Sequence, residues 1–269
     1  MTTVREIYQY IDEKIAPFSM QESWDNSGML VGHWDRPVNR VLLTLDITDA
    51  VIQEAVEYGA ELIVSHHPLL FHPAKQVTDG SIDLVGQRVL TLVERGIAAI
   101  CCHTNWDSAP GGVNDVLARL CGLEGELSIL EQVGTDEKGA PYGIGRVGTL
   151  SVPVPLGDYL DLLRGSLAPH GLRLCDGGKP VRKVAVGGGS CGGMLEEVAR
   201  LGCDTFVTGD CKYDHFLDAR MLGVNLIDAG HYPTEDPSMT VFGRRLARRF
   251  SNLQMKKSVR HHEVVNYRA

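Results

Sequence analysis

An internal repeat constrains the fold of this chain more than any other feature. RVLLTLDITDAVIQEAVEYGAELIVSHH, from Arg40 to His67, aligns without a gap to KVAVGGGSCGGMLEEVARLGCDTFVTGD, from Lys183 to Asp210. Val41 falls on Val184, Glu54 on Glu197, Gly59 on Gly202 and Val64 on Val207. Each copy reads as an apolar run, a loop, an amphipathic helix, a glycine turn and a second apolar run, which is a strand–helix–strand unit. In the first copy Asp49 is placed to cap the helix, and Ile52, Ala55 and Val56 supply its apolar face. After a shift of register, ERGIAAICCHTNWD matches MLGVNLIDAGHYPTE, so that His103 falls on His231 and Asp107 on Glu235.

The repeat predicts an α/β protein of two similar lobes related by a pseudo-twofold axis. The first lobe is 1–127 and the second 128–269, with the boundary in the polar, glycine-containing stretch Glu124 to Gly145. The C-terminal helix and a strand-like segment, Val259 to Val265, are free to pack on either lobe. A chain of 269 residues has room for such a pair, each with its own core.

Charge narrows the partners. With 26 basic and 34 acidic residues the net charge is −8, which argues against a general nucleic-acid binder. Arg244, Arg245, Arg248 and Arg249 are the obvious candidate for a local basic patch. Met239, Phe242, Leu246 and Phe250 recur beside them at helical spacing, so the arginines read as a solvated face. At the N-terminus, Thr3 and Glu6 make a capping-box pattern, and Val4, Ile7, Ile11, Ile15 and Phe18 mark one helix face. Charges interrupt that stretch, unlike a secretory signal, and no apolar run is long enough to span a bilayer. The expected location is the cytoplasm, with no membrane partner. The seven cysteines include no CxxC pair and read as buried, reduced thiols.

The chemistry gathers at strand ends. ELIVSHH, IAAICCH and VNLIDAGH each close an apolar run with histidine. Ligand crevices of open α/β sheets lie at the carboxyl ends of the strands. His66, His67, Asp107, His231 and Glu235 are therefore candidate ligands of a dinuclear metal site in a cleft at those ends. Imidazole with carboxylate suits divalent Zn, Mn, Fe or Co, two ions per chain. His66 and His67 are adjacent, and consecutive strand residues face opposite ways, so they serve two ions more readily than one unless the chain turns. The adjacent His261 and His262 read as ordinary satisfied polar residues. Trp24, Asp25 and Asn26 either orient a ligand or fix a turn. The loop Gly187–Gly193, GGGSCGG, is either a tight turn or an anion cradle favouring a phosphorylated ligand.

ESWDNSGMLVG (Glu22–Gly32), SHHPLLF (Ser65–Phe71), HTNWD (His103–Asp107), TGDCKYDH (Thr208–His215) and GHYPTE (Gly230–Glu235) occur in one order across most of the chain. In that combination the chain resembles the NGG-interacting-factor-three-like family, also called GTP cyclohydrolase I type 2 homologues. The resemblance implies that the five residues above are the dinuclear ligands, with Asp107 as the bridge, and that His103 lines the same cavity. It also implies a toroidal homohexamer. Some members hold an extra domain between the halves, for which this chain is too short in its middle.

Two ions held together would acidify a water and polarise a carbonyl, imine or phosphoryl oxygen. His103, His215 and Glu22, each within a matching motif, are candidate proton shuttles. The leading expectation is a metal-dependent hydrolase, of cyclohydrolase type on a nucleotide or a related phosphorylated small molecule. The rivals are a metal-binding regulatory or interaction protein without turnover, and a two-metal phosphoesterase.

Overall fold

The computed structural model describes residues 1–80 and 82–268. In chain order the elements are α1 (Val4–Tyr10), β1 (Gly28–Val31), β2 (Arg40–Thr44), α2 (Asp49–Tyr58), β3 (Leu62–Ser65), α3 (Leu84–Arg95), β4 (Ala98–Cys101), α4 (Thr104–Ser108), α5 (Val113–Leu120), β5 (Glu124–Thr135), β6 (Pro141–Val154), α6 (Leu156–Leu167), β7 (Arg173–Cys175), β8 (Val181–Val186), α7 (Leu195–Arg200), β9 (Thr205–Thr208), α8 (Tyr213–Leu222), β10 (Asn225–Asp228), α9 (His231–Arg249) and β11 (Gln254–Lys257). They divide into two compact units. The first is Met1–Ala109 with Met239–His262, and the second is Pro110–Ser238 with the tail from Glu263 onward.

The first unit holds a five-stranded sheet in the order β1-β4-β3-β2-β11, parallel except for the edge strand β1. The second holds a six-stranded sheet in the order β5-β6-β8-β9-β10-β7. Its centre, β8-β9-β10, is parallel, and the other strands are antiparallel. Register reproduces the sequence repeat. Val41 faces Leu62 across β2–β3, and its counterpart Val184 faces Thr205 across β8–β9. An antiparallel strand then closes each parallel core, β1 beside β4 and β7 beside β10. The aligned glycines Gly59 and Gly202 both sit in the left-handed region, at φ of 71° and 69°, where a side chain is disfavoured. The first ends α2, and both turn the chain into the next strand.

The repeat also explains a one-residue offset. Ser65 pairs with Cys101 and Thr208 with Asp228, so strand ends correspond. One residue separates Cys101 from His103, and two separate Asp228 from His231. The second loop has absorbed one extra residue.

Several local readings change. The N-cap of α2 is Thr48, whose side chain accepts from the Val51 amide, and Asp49 is the first helical residue. The last strand is Gln254–Lys257 rather than Val259 to Val265, and it pairs with β2 in parallel. The division between units is not a single cut near residue 127. It falls after Ala109, again within α9, and again after His262. Length hides this, because a chain that returns to an earlier sheet leaves no compositional mark.

Other readings stand. The capping box at Thr3 and Glu6 forms, and Val4, Ile7, Ile11, Ile15 and Phe18 are all buried. Met239, Phe242 and Leu246 in α9, and Phe250 just after it, face the core. Arg245 departs from the solvated face, donating to the Lys14 carbonyl with its guanidinium over the Trp106 ring. The core of the first unit packs Leu42, Ile63 and Ala99 against Val51, Ile52 and Leu92. In the second, Val184, Val207 and Ile227 pack with Leu117 and Tyr159 on one sheet face, and Ala185, Phe206 and Leu226 with Val198 and Ala219 on the other. All seven cysteines are free thiols. No described helix is long and apolar enough to cross a membrane.

Candidate metal centre

In the first unit, three imidazoles stand at the carboxyl ends of adjacent parallel strands. His66 and His67 follow β3, and His103 follows β4. Each is oriented through Nδ1. His66 Nδ1 lies 2.9 Å from the Cys102 carbonyl, His67 Nδ1 2.8 Å from Asp46 Oδ1, and His103 Nδ1 2.7 Å from Asp25 Oδ1. Oxygen acceptors of this kind require the proton on Nδ1, which places the lone pair on Nε2. Histidine ligands of metals are held in this way by carbonyls and carboxylates. The ligand atoms of His66, His67 and His103 lie within 4.8 Å of one another. Asp107, on α4 and 8% exposed, brings Oδ1 to 3.6 Å from His66 Nε2.

Strand alternation would send His66 and His67 to opposite faces. They lie beyond the last residue of β3, where the chain turns. The Ser65 hydroxyl donates to the His67 carbonyl, and the amides of both histidines reach the Leu45 carbonyl. The two rings end 4.9 Å apart, so they contribute to one cluster.

In the second unit, His231 opens α9 and Glu235 follows one turn later on the same face. His231 Nε2 is 3.0 Å from Glu235 Oε2, and Nδ1 is 2.7 Å from Asp210 Oδ2. Burial alone would lower the His231 pKa, but Glu235 and Asp210 push it up to about 11. A ring held between two carboxylates calls for positive charge, and a metal ion on Nε2 supplies it as well as a second proton does. Asp210 adopts φ of 49°, a left-handed conformation uncommon for a residue with a side chain. The hydrogen bond to His231 holds the Asp210 carboxyl below its ordinary range.

The carboxylates behind the first-unit histidines are likewise held ionised. Burial opposes this at Asp25 and Asp46, but hydrogen bonds from His103 and Thr104 to the first, and from His261 and His67 to the second, hold both well below the usual range.

The glycine-rich loop is a packing turn. Its amides at Gly187, Gly188, Gly189 and Cys191 donate to the Val207 carbonyl, Asn114 Oδ1, Thr234 Oγ1 and Thr208 Oγ1. These four amides are used inside the protein and are not offered to an anion. The glycine requirement comes from close approach, since a Cβ on Gly189 would stand 2.1 Å from Glu235 Oε1.

Of the candidate proton carriers, His103 stands with His66 and His67, its ring flanked by Trp24 and Phe71 at 6.1 Å each. The Glu22 amide donates to Thr104 Oγ1, on the helix next to His103. His215 Nδ1 accepts from the Lys212 amide and caps α8.

Asp25, read in sequence as orienting a ligand or fixing a turn, holds the His103 ring, whereas the orienting roles of Asp46, Asp210 and His261 are the part that motif reading missed. His261 is more than an ordinary satisfied polar residue, because its Nε2 lies 2.9 Å from the second oxygen of Asp46, the carboxylate that holds His67. One signal was present in the sequence, since Asp210 aligns with His67 in the repeat.

The fold and this donor set define a two-unit α/β protein with histidine–carboxylate groups that could hold metal. The chain matches the Duf34/NIF3 (NGG1p interacting factor 3) family over residues 2–266, and it belongs to that family. Among its relatives is a Clostridium perfringens protein named GTP cyclohydrolase 1 type 2 homolog, 34% identical over 90% of both chains. A protein of the same name from Clostridium acetobutylicum is 35% identical over 88% of this chain and 87% of the relative. A Staphylococcus aureus hypothetical protein superposes with a TM-score of 0.90 at 29% identity, covering 98% of this chain and 99% of the other. Reduced HcgD from Methanocaldococcus jannaschii gives 0.79 at 27% identity, covering 95% and 97%.

Proposed function

We propose that the chain is a dinuclear-metal-dependent hydrolase of cyclohydrolase type, opening the ring of a nucleotide. His66, His67, Asp107, His231 and Glu235 would hold two divalent transition ions from the set Zn, Mn, Fe and Co. The observation that carries the reading is the common orientation of the imidazoles, each with an oxygen acceptor on Nδ1. The name shared by the Clostridium relatives supports the reaction type. Family membership supports a homohexamer as the working form.

When bound, the ions would supply Lewis acidity toward a water and toward the substrate. Hydrolysis of a ring C–N bond delivers the water's oxygen to carbon and a proton to the leaving nitrogen. His103 is the residue we assign to that proton. Asp25 fixes Nδ1, so Nε2 is the atom that accepts the water's proton and returns it to nitrogen. His215 serves as the cap of α8, and Glu22 contributes its backbone to the segment beside His103.

Metal-replete protein incubated with a panel of nucleoside triphosphates tests this. The expected products are a ring-opened nucleotide, or formate where the opened carbon is lost. Phosphate release without ring opening would make it a phosphoesterase. Absence of turnover across the panel, with metal bound, would make it a binding protein.

A further inference from the structure

The second unit contains a cavity of about 310 Å³ that no step above uses, and His231 and Asp210 form part of its wall. The C-terminal tail supplies another part of the lining. His170 Nδ1 holds the Val265 carbonyl at 2.9 Å, and Glu263 and Tyr267 on either side of Val265 line the cavity. Gly171 makes room for this, since a Cβ there would stand 2.6 Å from the Tyr267 ring. Tyr267 remains 46% exposed, with ring surface available to a ligand.

The polar lining is selective. Arg173 is the one guanidinium in the wall, and it is committed to Asp228 and to the Cys211 carbonyl. Asp228 also accepts from the Cys211 and Gly230 amides. That leaves two carboxylates in the wall. Asp210 is committed through one oxygen to His231. Glu263 Oε1 accepts from the Val265 amide at 2.8 Å, and Oε2 has no such amide among the described residues. A neutral ring rich in N–H groups would meet an acceptor and an aromatic face here. The volume lies at the small end of ligand sites and suits one heterocycle with its sugar.

We propose that this cavity binds the base of the substrate. An N–H-rich planar ring of the guanine type would stack on Tyr267, with its adjacent ring and amino N–H groups donating to the Glu263 carboxylate. This rests on the hydrolase reading and deepens it: the base enters on the His231 side, and the phosphates lie outside the cavity. Guanine fits better than hypoxanthine because a carboxylate accepts from two neighbouring N–H donors, and hypoxanthine lacks the exocyclic one. It fits better than adenine because the ring nitrogen beside adenine's amino group is an acceptor facing a carboxylate.

Calorimetric titration of the full chain with guanosine, inosine and adenosine tests the inference without phosphates. Guanosine should bind saturably and about tenfold tighter than inosine, as expected for one charge-assisted hydrogen bond. Tyr267→Ala should weaken guanosine about tenfold, the scale of one stacking contact, while Tyr267→Phe keeps the affinity. Glu263→Gln should abolish the preference over inosine. Circular dichroism and bound-metal content of the variants should match the parent. No saturable binding at millimolar guanosine, equal affinity for guanosine and inosine, or unchanged affinity in Tyr267→Ala would each overturn the proposal. Guanosine binding as described without ring opening of any nucleotide would leave the cavity assignment standing and remove the hydrolase reading. Ring opening that is indifferent to Tyr267→Ala and Glu263→Gln would do the reverse.

Discussion

Asp107→Ala is expected to release both metal ions, where His66→Ala or His67→Ala releases chiefly one. The prediction follows from the proposed role of Asp107 as the bridging carboxylate. A bridge is a ligand to each ion and also screens their mutual repulsion, so removing it weakens both positions. Asp107 is held in place for this, 8% exposed on a short helix with Oδ1 3.6 Å from His66 Nε2. His103→Ala should retain both ions and lower turnover by about 10²–10⁴-fold, the range for a lost general acid–base. Titrating each variant with metal, counting bound ions and recording the unfolding transition separates the cases. Two ions bound at parental affinity in Asp107→Ala would show that another carboxylate bridges.

The second large effect lies away from the metal ligands. Glu54→Ala should destabilise the first unit by about 2 kcal/mol, because it removes a buried carboxylate that accepts from four donors. The Glu54 side chain is 4% exposed and lies 2.8 Å from Lys256 Nζ. It accepts from the Ser258 hydroxyl at 2.6 Å and from the amides of Val259 and Arg260. These contacts fix the segment that leads to His261, and His261 in turn holds Asp46 behind His67. Burial alone would raise the carboxyl pKa, but Lys256, Ser258 and the two amides bring it down from the ordinary 4.5 to about 2. A group depressed in the folded state stabilises above its unfolded value and loses that contribution as pH falls. The stability gap between the parent and Glu54→Gln should therefore be full above pH 4.5 and shrink between there and about 2. Urea unfolding at a series of pH values measures it, and a gap constant across that window would refute the coupling.

The sequence carried the parallel strands, the aligned glycines and the five proposed ligands because each depends on short-range pattern. Val41 and Val184 could be matched by eye, and their strand registers agree. Histidines at strand ends were legible for the same reason. What escaped was long-range. The Nδ1 partners of His67 and His103 come from positions 21 and 78 residues away, and spacing says nothing about such pairs. His261 looked ordinary because only the return of β11 to β2 brings it to Asp46. The glycine loop misled for a related reason. Its composition suits a phosphate cradle, but the side chains of Asn114, Thr208 and Thr234 occupy its amides.

We propose that the chain holds two ions through the histidines and carboxylates named above. Elemental analysis of the full chain, purified without chelators and incubated in turn with Zn, Mn, Fe and Co, tests it most directly. About two ions per chain are expected with at least one of these metals, and a loss when His231 is replaced as well as when His66 or His67 is. A chain that stays metal-free with all four, or one that keeps both ions after His67 and His231 are replaced together, would contradict it.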